Sequence, residues 1–328
     1  MKRQTLFPTH ALFIFIGILV FAAIGIIPLV HSQQPPKQEV SIIINTEFAN
    51  PQPVTIQGYS GSTEEPYITP DGQYLIFDDR NDPTEDTKIY YAKKVTDATF
   101  TFMGEVKGVN TSSFEGLVSM DDANNFYFAR SYSQNFQTMP GTTTIYRGVF
   151  NNGTVTDVVP VEGLSHKQTG LLNMDPNISY DGNTLYFTDI DFRNGLHVVV
   201  KVAVRNPDGT FTKLADSDPR MLEFKNEFKN VYNGNVINKP LIGPVMLSRD
   251  GLEGFFNAAD LSVEWNRIYT VKRNSVSDPF GVPQLIGAAD GFVEGAFISG
   301  DGNHLYYHKL LAIPPKGAFK IYMVTRQK

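Results

Sequence analysis

The stretch Asp175–Phe187 reads DPNISYDGNTLYF, and its pattern predicts two β-strands joined by a turn at Asp181-Gly182. Asp-Gly is a preferred pair in tight hairpins because its residues tolerate a positive φ. The strand after the turn contains Leu185-Tyr186-Phe187, which has no polar residue in alternation. A strand of this kind must be covered on both faces in the folded protein.

Variants of the same phrase occur four more times along the chain. They are PYITPDGQYLIF at Pro66–Phe77, GLVSMDDANNFYF at Gly116–Phe128, VMLSRDGLEGFF at Val245–Phe256 and AFISGDGNHLYY at Ala296–Tyr307. A third strand follows each phrase. Fourth strands are predicted after four of them, at Phe100–Val106, Thr154–Val161, Thr210–Leu214 and Pro283–Ile286. Radially stacked four-stranded sheets cover both faces of every inner strand, because each sheet lies between two neighbours.

We therefore predict an all-β propeller of five four-stranded blades, with six as the alternative number. The last repeat lacks a fourth strand after Val324. The unassigned strands lie at Val40–Ile44 and Pro53–Ile56, separated by Asn50-Pro51. The simplest closure pairs this N-terminal segment with the last blade, which leaves no open sheet edge.

The repeated phrase Pro-x-Ile-Ser-x-Asp-Gly-x-x-Leu-Tyr-Phe, followed by Ile-Tyr, resembles the WD40-like β-propeller repeat of the TolB type. The connection FMGEVKGVNTSSF at Phe102–Phe114 is also similar to that family, and the resemblance spans Gln57–Arg326. It implies the propeller fold but no single function, since such propellers serve as scaffolds, binding modules and parts of enzymes. Two departures concern the blade number. Asp121-Asp122 stands where Asp-Gly is expected, and five units are present where the TolB propeller has six.

The first 32 residues differ from the rest of the chain. Lys2 and Arg3 precede an apolar run at Ala11–Val30, and Val30-His31-Ser32 offers small residues where a signal peptidase cuts. The run is also long enough to span a bilayer if it stays uncleaved. The expected boundaries are a signal peptide or membrane anchor at 1–32, a linker at 33–39 and the propeller domain at 40–328. Either leader places the domain in the periplasm or outside the cell, with membrane contact only through the N-terminal segment.

Composition excludes several classes of site. The 328 residues include no cysteine, so disulfides, thiol catalysis and Cys-type zinc sites are impossible. The net charge is −6 and no basic cluster interrupts the domain, which argues against a nucleic-acid partner. No Gly-x-Ser-x-Gly motif supports Ser-His-Asp hydrolysis. His304 and His308 flank one strand about 13 Å apart, so they cannot share a metal ion.

Carboxylates precede the first strand of four repeats. They are Glu65, Glu115 and Asp175, with Glu294 one residue out of register, and Pro244 interrupts the column in the fourth repeat. Because the first strand of a propeller blade lines the central channel, these side chains are candidate ligand-binding residues. Glu65, Glu115 and Asp175 are also the catalytic candidates if the protein is a glycosidase. The alternative is structural: each carboxylate accepts backbone N–H bonds at the entry to its own blade, and the repetition favours that role.

Acidic loops follow the second strands of the first and third repeats. Asp78 and Asp79 begin the run DDRNDPTED, and Asp189 and Asp191 lie in a similar segment. Oxygen-rich loops can hold Ca²⁺, which makes these four aspartates the metal candidates. Arg193 stands where a third oxygen ligand belongs, so solvated polar turns are the preferred interpretation and no cofactor is expected.

The sequence favours a non-catalytic binding or scaffold module whose ligand is a protein or a carbohydrate. The alternative is a glycoside hydrolase of the five-bladed arabinanase type, which places three carboxylates on its channel. Glu65-Pro66 and Asp175-Pro176 are superficially similar to such positions.

Overall fold

The computed structural model describes residues 43–79, 87–131, 144–166, 168–193, 197–220, 241–260, 265–311 and 318–327. The predicted leader, the linker and residues 80–86 of the first acidic loop lie outside these ranges. Across the described ranges, no helix has the length and apolar character needed to cross a bilayer.

The strands form five small sheets arranged as a five-bladed propeller. The N-terminal segment contains β1 (Ile44–Asn45), β2 (Phe48–Pro53) and β3 (Thr55–Gln57). Blade 1 contains β4 (Glu64–Ile68), β5 (Tyr74–Asp78), β6 (Ile89–Thr96) and β7 (Thr99–Glu105). Blade 2 contains β8 (Phe114–Met120), β9 (Asn125–Ser131), β10 (Ile145–Asn151) and β11 (Thr154–Pro160).

Blade 3 contains β12 (Leu171–Ile178), β13 (Thr184–Asp191), β14 (His197–Arg205) and β15 (Phe211–Lys213). Blade 4 contains β16 (Leu241–Ile242), β17 (Met246–Leu247), β18 (Glu253–Asp260), β19 (Trp265–Lys272) and β20 (Gln284–Ile286). Blade 5 contains β21 (Val293–Ile298), β22 (His304–Leu310) and β23 (Phe319–Arg326). The predicted all-β propeller with five blades is confirmed.

The core lies between neighbouring blades, as the unbroken apolar strands predicted. Every residue of the inner strand β8 is buried, whereas four of the seven residues of the outer strand β11 are exposed. Tyr186 of blade 3 packs in one cluster with Phe256 of blade 4. Phe77 of blade 1 shares another with Phe128 of blade 2 and Tyr306 of blade 5. Burial on both faces of the inner strands holds these strands in place around the channel.

The N-terminal segment closes the ring across three blades. Strand β2 pairs antiparallel with β23 and supplies the missing outer strand of blade 5, as predicted. In addition, β1 pairs in parallel with β20 of blade 4, and β3 pairs in parallel with β7 of blade 1. Asn50-Pro51 was expected to separate two strands, but it lies inside β2 at a bulge where Asn50 has a φ of 56°. Proline is tolerated there because β2 is an edge strand.

The hairpin turns are longer than the two-residue turn that Asp-Gly suggested. In blade 1 the amide of Thr69 still bonds to the carbonyl of Tyr74, which leaves four residues in the loop. The carboxylate of Asp71 accepts bonds from the Thr69 hydroxyl at 2.6 Å and the Gln73 amide at 3.0 Å, and Gly72 has a φ of 72°. The anchor aspartates of the repeat therefore stabilise turns.

Candidate functional site at the channel mouth

A β-bulge occurs at the same place in four of the five inner strands. The bulged residue has a positive φ in each: 45° at Glu65, 60° at Leu117, 53° at Asp175 and 61° at Gly295. Pro244 occupies the equivalent place in blade 4. For a residue other than glycine this conformation costs about 1–3 kcal/mol, and such strain is concentrated at functional sites. All five of these residues line one pocket.

The predicted acidic column is not one structural position. Glu65 and Asp175 are equivalent bulge residues, but Glu115 lies two residues upstream of Leu117 and Glu294 one residue upstream of Gly295. In blade 2, Glu115 is displaced from the bulge position because the hairpin of this blade is shorter. Asp121 directly follows β8, at the position that Thr69 occupies in blade 1. Counting back from Asp121 by the distance that separates Asp71 from Glu65 therefore reaches Glu115, two residues upstream of the bulge residue Leu117.

Glu115 lies outside the channel pocket. Its side chain is fully buried and pairs with the Arg130 guanidinium at 3.1 Å. It also accepts the Thr111 amide at 3.0 Å and the Thr111 hydroxyl at 2.5 Å. This arrangement matches the structural alternative for the column, in which a carboxylate fixes the entry to its own blade.

The bulge residues of all five blades line a small pocket at the mouth of the channel. It is lined by Glu65, Pro66, Leu117, Val118, Asp175, Pro176, Asn177, Pro244, Met246, Gly295 and Ala296. Water molecules can occupy about 30 Å³ of it, which is room for about two of them. The pocket is therefore much smaller than the usual cavity for an organic ligand.

Arg249 lies across the opposite, hairpin end of the channel. Its guanidinium bonds to the Asp122 carboxylate at 2.6 Å and to the Pro70 carbonyl at 3.3 Å. It also stacks over the Tyr180 ring at 4.8 Å, and a Cβ on Gly300 would lie 3.2 Å from its Nη1. Arg249 thus contacts the turns of the other four blades at this end of the channel.

Two carboxyl groups that line the pocket, Glu65 and Asp175, and the neighbouring Glu294 have raised pKa values. Burial raises the pKa of Glu65 to about 8, opposed by His308 and reinforced by Asp175 and Glu294. Burial also raises the pKa of Glu294 to about 8 and that of Asp175 to about 7. Hydrogen bonds from Asn266 and Thr188, respectively, oppose those two shifts. These carboxyl groups therefore keep their protons to a higher pH than exposed carboxyl groups do.

His308 connects two of these carboxyl groups. The imidazole is 1% exposed, and its Nδ1 accepts the Glu65 backbone N–H at 3.1 Å. The proton of the neutral ring is therefore on Nε2, which faces Glu294 Oε2 at 3.3 Å. Burial lowers the pKa of His308, and Glu65 opposes that shift. A Cβ on Gly295 would lie 2.8 Å from His308 Nδ1 and 2.9 Å from Glu65 Oε2, so glycine permits this close approach.

The same network continues into blade 4. Asn266 bonds to the other oxygen of Glu294, and Asn257 donates to Asn266 at 3.5 Å. Sequence reasoning considered His308 only as a metal ligand and missed this role. If the register of β21 and β22 beside the hairpin turn continued without a bulge, Glu294 would lie opposite Lys309. The bulge shifts the register by one residue, so Glu294 lies opposite His308.

The metal candidates of blade 1 have partners within the protein. Asp78 is fully buried, and its Oδ2 accepts the Leu117 amide at 2.9 Å. Burial raises its pKa well above the usual range. Asp79 accepts the Lys88 amide at 2.8 Å, and burial raises its pKa to about 6.

The metal candidates of blade 3 also have partners. Asp189 lies 3.1 Å from His166 Nε2 and 3.4 Å from the Lys213 ammonium. Asp191 forms two bonds with the Arg193 guanidinium, at 2.9 and 2.8 Å. In the part of the chain that the structure describes, no group of three or more His, Asp or Glu side chains is arranged to hold a metal ion.

No family model and no curated protein matches the sequence, but several solved structures are similar to this chain. TolB from Acinetobacter baumannii is similar at 16% identity and a TM-score of 0.43, over 82% of this chain. The chain spans only 55% of the length of that protein. A family 117 glycoside hydrolase from the marine bacterium Zobellia galactanivorans is similar at 13% identity and a TM-score of 0.52, over 85% of this chain and 90% of its own.

A third similar structure is the catalytic domain of the GH62 α-L-arabinofuranosidase of Coprinopsis cinerea. It has 12% identity and a TM-score of 0.49, over 87% of this chain and 98% of its own. At these identities the likeness concerns the fold alone, and propellers with this fold have different functions.

Proposed function

We propose that this chain is an exported, non-catalytic propeller module of the WD40-like, TolB type. It acts in the periplasm or outside the cell and binds a protein or carbohydrate partner. The observation that carries this proposal is the channel itself, which has room for about two water molecules at its mouth and is crossed by Arg249 at its other end. We therefore expect no sugar ring to bind in this pocket.

The surroundings of Glu115 support the same proposal. Glycoside hydrolysis needs one protonated carboxyl group and one ionised carboxylate on opposite sides of the scissile bond. Glu115, the third catalytic candidate, is engaged by Arg130 outside the pocket.

A glycoside hydrolase is the second candidate, and one observation favours it. Glu65 and Asp175 line the same pocket, and the pKa of Asp175 is raised only to about 7. Asp175 is therefore the group that ionises first, while Glu65 still carries a proton. Such a difference between neighbouring carboxyl groups is the usual basis for assigning a base and an acid.

The two candidates are separated by amide substitutions in the pocket. We expect the unmodified protein to show no turnover of arabinan or xylan, and Glu65→Gln and Asp175→Asn to leave this result unchanged. Turnover that is lost in both variants without a fall in melting temperature would establish the hydrolase instead. Glu115→Gln is the matched control outside the pocket, because it should keep any activity at temperatures where the variant stays folded.

Export is tested separately by N-terminal sequencing of protein from its native host. A chain beginning at Gln33 supports a cleaved signal peptide. Recovery of Met1 in the membrane fraction indicates a retained anchor. Recovery of Met1 in soluble cytoplasm would contradict export.

A further inference from the structure

A second cavity lies between blades 3 and 4 at the hairpin end of the propeller. Its lining includes Tyr180 and Tyr186 from blade 3 and Leu247, Arg273 and Val276 from blade 4. The space that water can occupy is about 240 Å³, against about 30 Å³ at the channel mouth. This cavity is large enough for a small organic molecule.

Arg273 is a buried cation in this cavity whose partners are all neutral. Its side chain belongs to a residue that is 9% exposed. Nε donates to the Gly251 carbonyl at 2.7 Å, Nη1 donates to the Tyr186 hydroxyl at 3.3 Å, and the guanidinium stacks over the Phe280 ring at 4.4 Å. Among the described residues no carboxylate forms an ion pair with it. A guanidinium has five N–H donors, so three remain for a ligand.

The other charged groups of the lining are already paired or hydrogen-bonded. Arg220 bonds to Asp218 at 2.9 Å, and Arg249 bonds to Asp122 at 2.6 Å. The two rim aspartates accept hydrogen bonds within their own hairpin turns; they are Asp181 and Asp250. Burying a charge without a counter-charge is unfavourable, and this leaves Arg273 as the group that a bound anion would compensate.

We propose that this cavity binds a small organic carboxylate and that Arg273 recognises the carboxylate group. The planar guanidinium offers parallel N–H donors that match the two oxygens of a carboxylate. Leu247, Val276 and the Tyr180 ring supply an apolar wall for the body of the molecule. The site lies away from the acidic channel mouth and does not depend on the function proposed for it.

Val276 provides a substitution that tests the site without removing Arg273. It is 55% exposed, and a Cβ on Gly251 would lie 3.2 Å from Val276 Cγ1 and 3.6 Å from Arg273 Nη2. A glutamate at position 276 can therefore place its own carboxylate on the guanidinium. Glutamine has the same shape without the charge and is the matched control.

The experiment is calorimetric titration of the full chain with sodium benzoate and sodium glucuronate, each beside its neutral counterpart, benzyl alcohol or glucose. We expect at least one carboxylate to bind more tightly than its neutral counterpart. Val276→Glu should weaken that binding by roughly tenfold or more, as a charge-assisted hydrogen-bond pair implies. Val276→Gln should retain it, and Val276→Glu should melt at a higher temperature than Val276→Gln.

The two probes distinguish an aromatic from a hydroxylated ligand body, and either preference supports the site. Equal binding of carboxylates and neutral counterparts would overturn the proposal. Equal loss in Val276→Glu and Val276→Gln would overturn it as well, because the effect would then come from shape and not from charge.

Discussion

Glu294→Gln should flatten the dependence of stability on pH, because Glu294 is a buried acid held in its protonated form. Its pKa is raised from 4.5 to about 8 in the folded protein. Between these values the unfolded chain releases the proton and the folded chain keeps it. The free energy of unfolding should therefore fall as pH rises from about 4.5 to about 8. Glutamine resembles the protonated acid and keeps a carbonyl that accepts the His308 Nε2–H.

The magnitude follows from the same pKa difference. One group that is ionised only in the unfolded chain lowers the free energy of unfolding by about 1.4 kcal/mol per pH unit. Over the whole interval Glu294 contributes on the order of 5 kcal/mol at most. Glu65, Asp175, Asp78 and Asp79 act in the same direction, so Glu294→Gln should remove only one of five such contributions. His308 acts oppositely: its pKa is lowered by burial, so it reduces stability as pH falls below 6.5.

The assay is urea unfolding of the full chain, followed by circular dichroism at about pH 5.5, 6.5 and 7.5 and constant ionic strength. We expect the slope of unfolding free energy against pH to be shallower in Glu294→Gln by about 1.4 kcal/mol per unit. Glu162→Gln is the control, since Glu162 is exposed, and its curve should run parallel to that of the unmodified protein.

Two results would refute this reasoning. Identical slopes in Glu294→Gln and the unmodified protein would mean that Glu294 does not hold a proton in the folded state. A uniform loss of several kcal/mol at every pH would mean that Glu294 is an ionised partner of a charged His308, since removing one member of a buried ion pair is costly.

Three further substitutions test the structural assignments. Glu115→Gln should lower the free energy of unfolding in urea by about 3–5 kcal/mol, because it removes the carboxylate from the buried ion pair with Arg130; an unchanged midpoint would contradict this. Gly163→Ala should cost more than about 3 kcal/mol, since φ is 92° and the new Cβ would overlap a carbonyl oxygen of β15. Gly302→Ala, where φ is 72° and space is open, should cost only about 1 kcal/mol in the same titration. Deleting β1–β3 should abolish cooperative thermal unfolding, whereas deleting the preceding linker should not; equal melting of both would show that closure lies elsewhere.

The blade architecture could be predicted from the sequence because its signals are local. Each Asp-Gly turn and the apolar strand after it lie within about a dozen residues, and the observed outer strands agree closely with the predicted fourth strands. The missing fourth strand of the last repeat also pointed to closure by the N-terminal segment, and β2 takes that place.

The parallel pairing of β1 with blade 4 and of β3 with blade 1 was decided by the tertiary structure. No local pattern distinguishes these two short strands from the one between them. Their partners are the free outer edges of β20 and β7, which lie beside the segment only after the ring has formed.

The site depended on the tertiary structure most of all. The sequence placed carboxylates near the channel, but a bulge in the inner strands and a shorter hairpin in blade 2 decided which of them reach it. Glu65 and His308 are 243 residues apart, and they meet because the first and last blades are neighbours in a closed ring. Their protonation follows from burial and from that contact, and neither is a property of any short stretch of sequence.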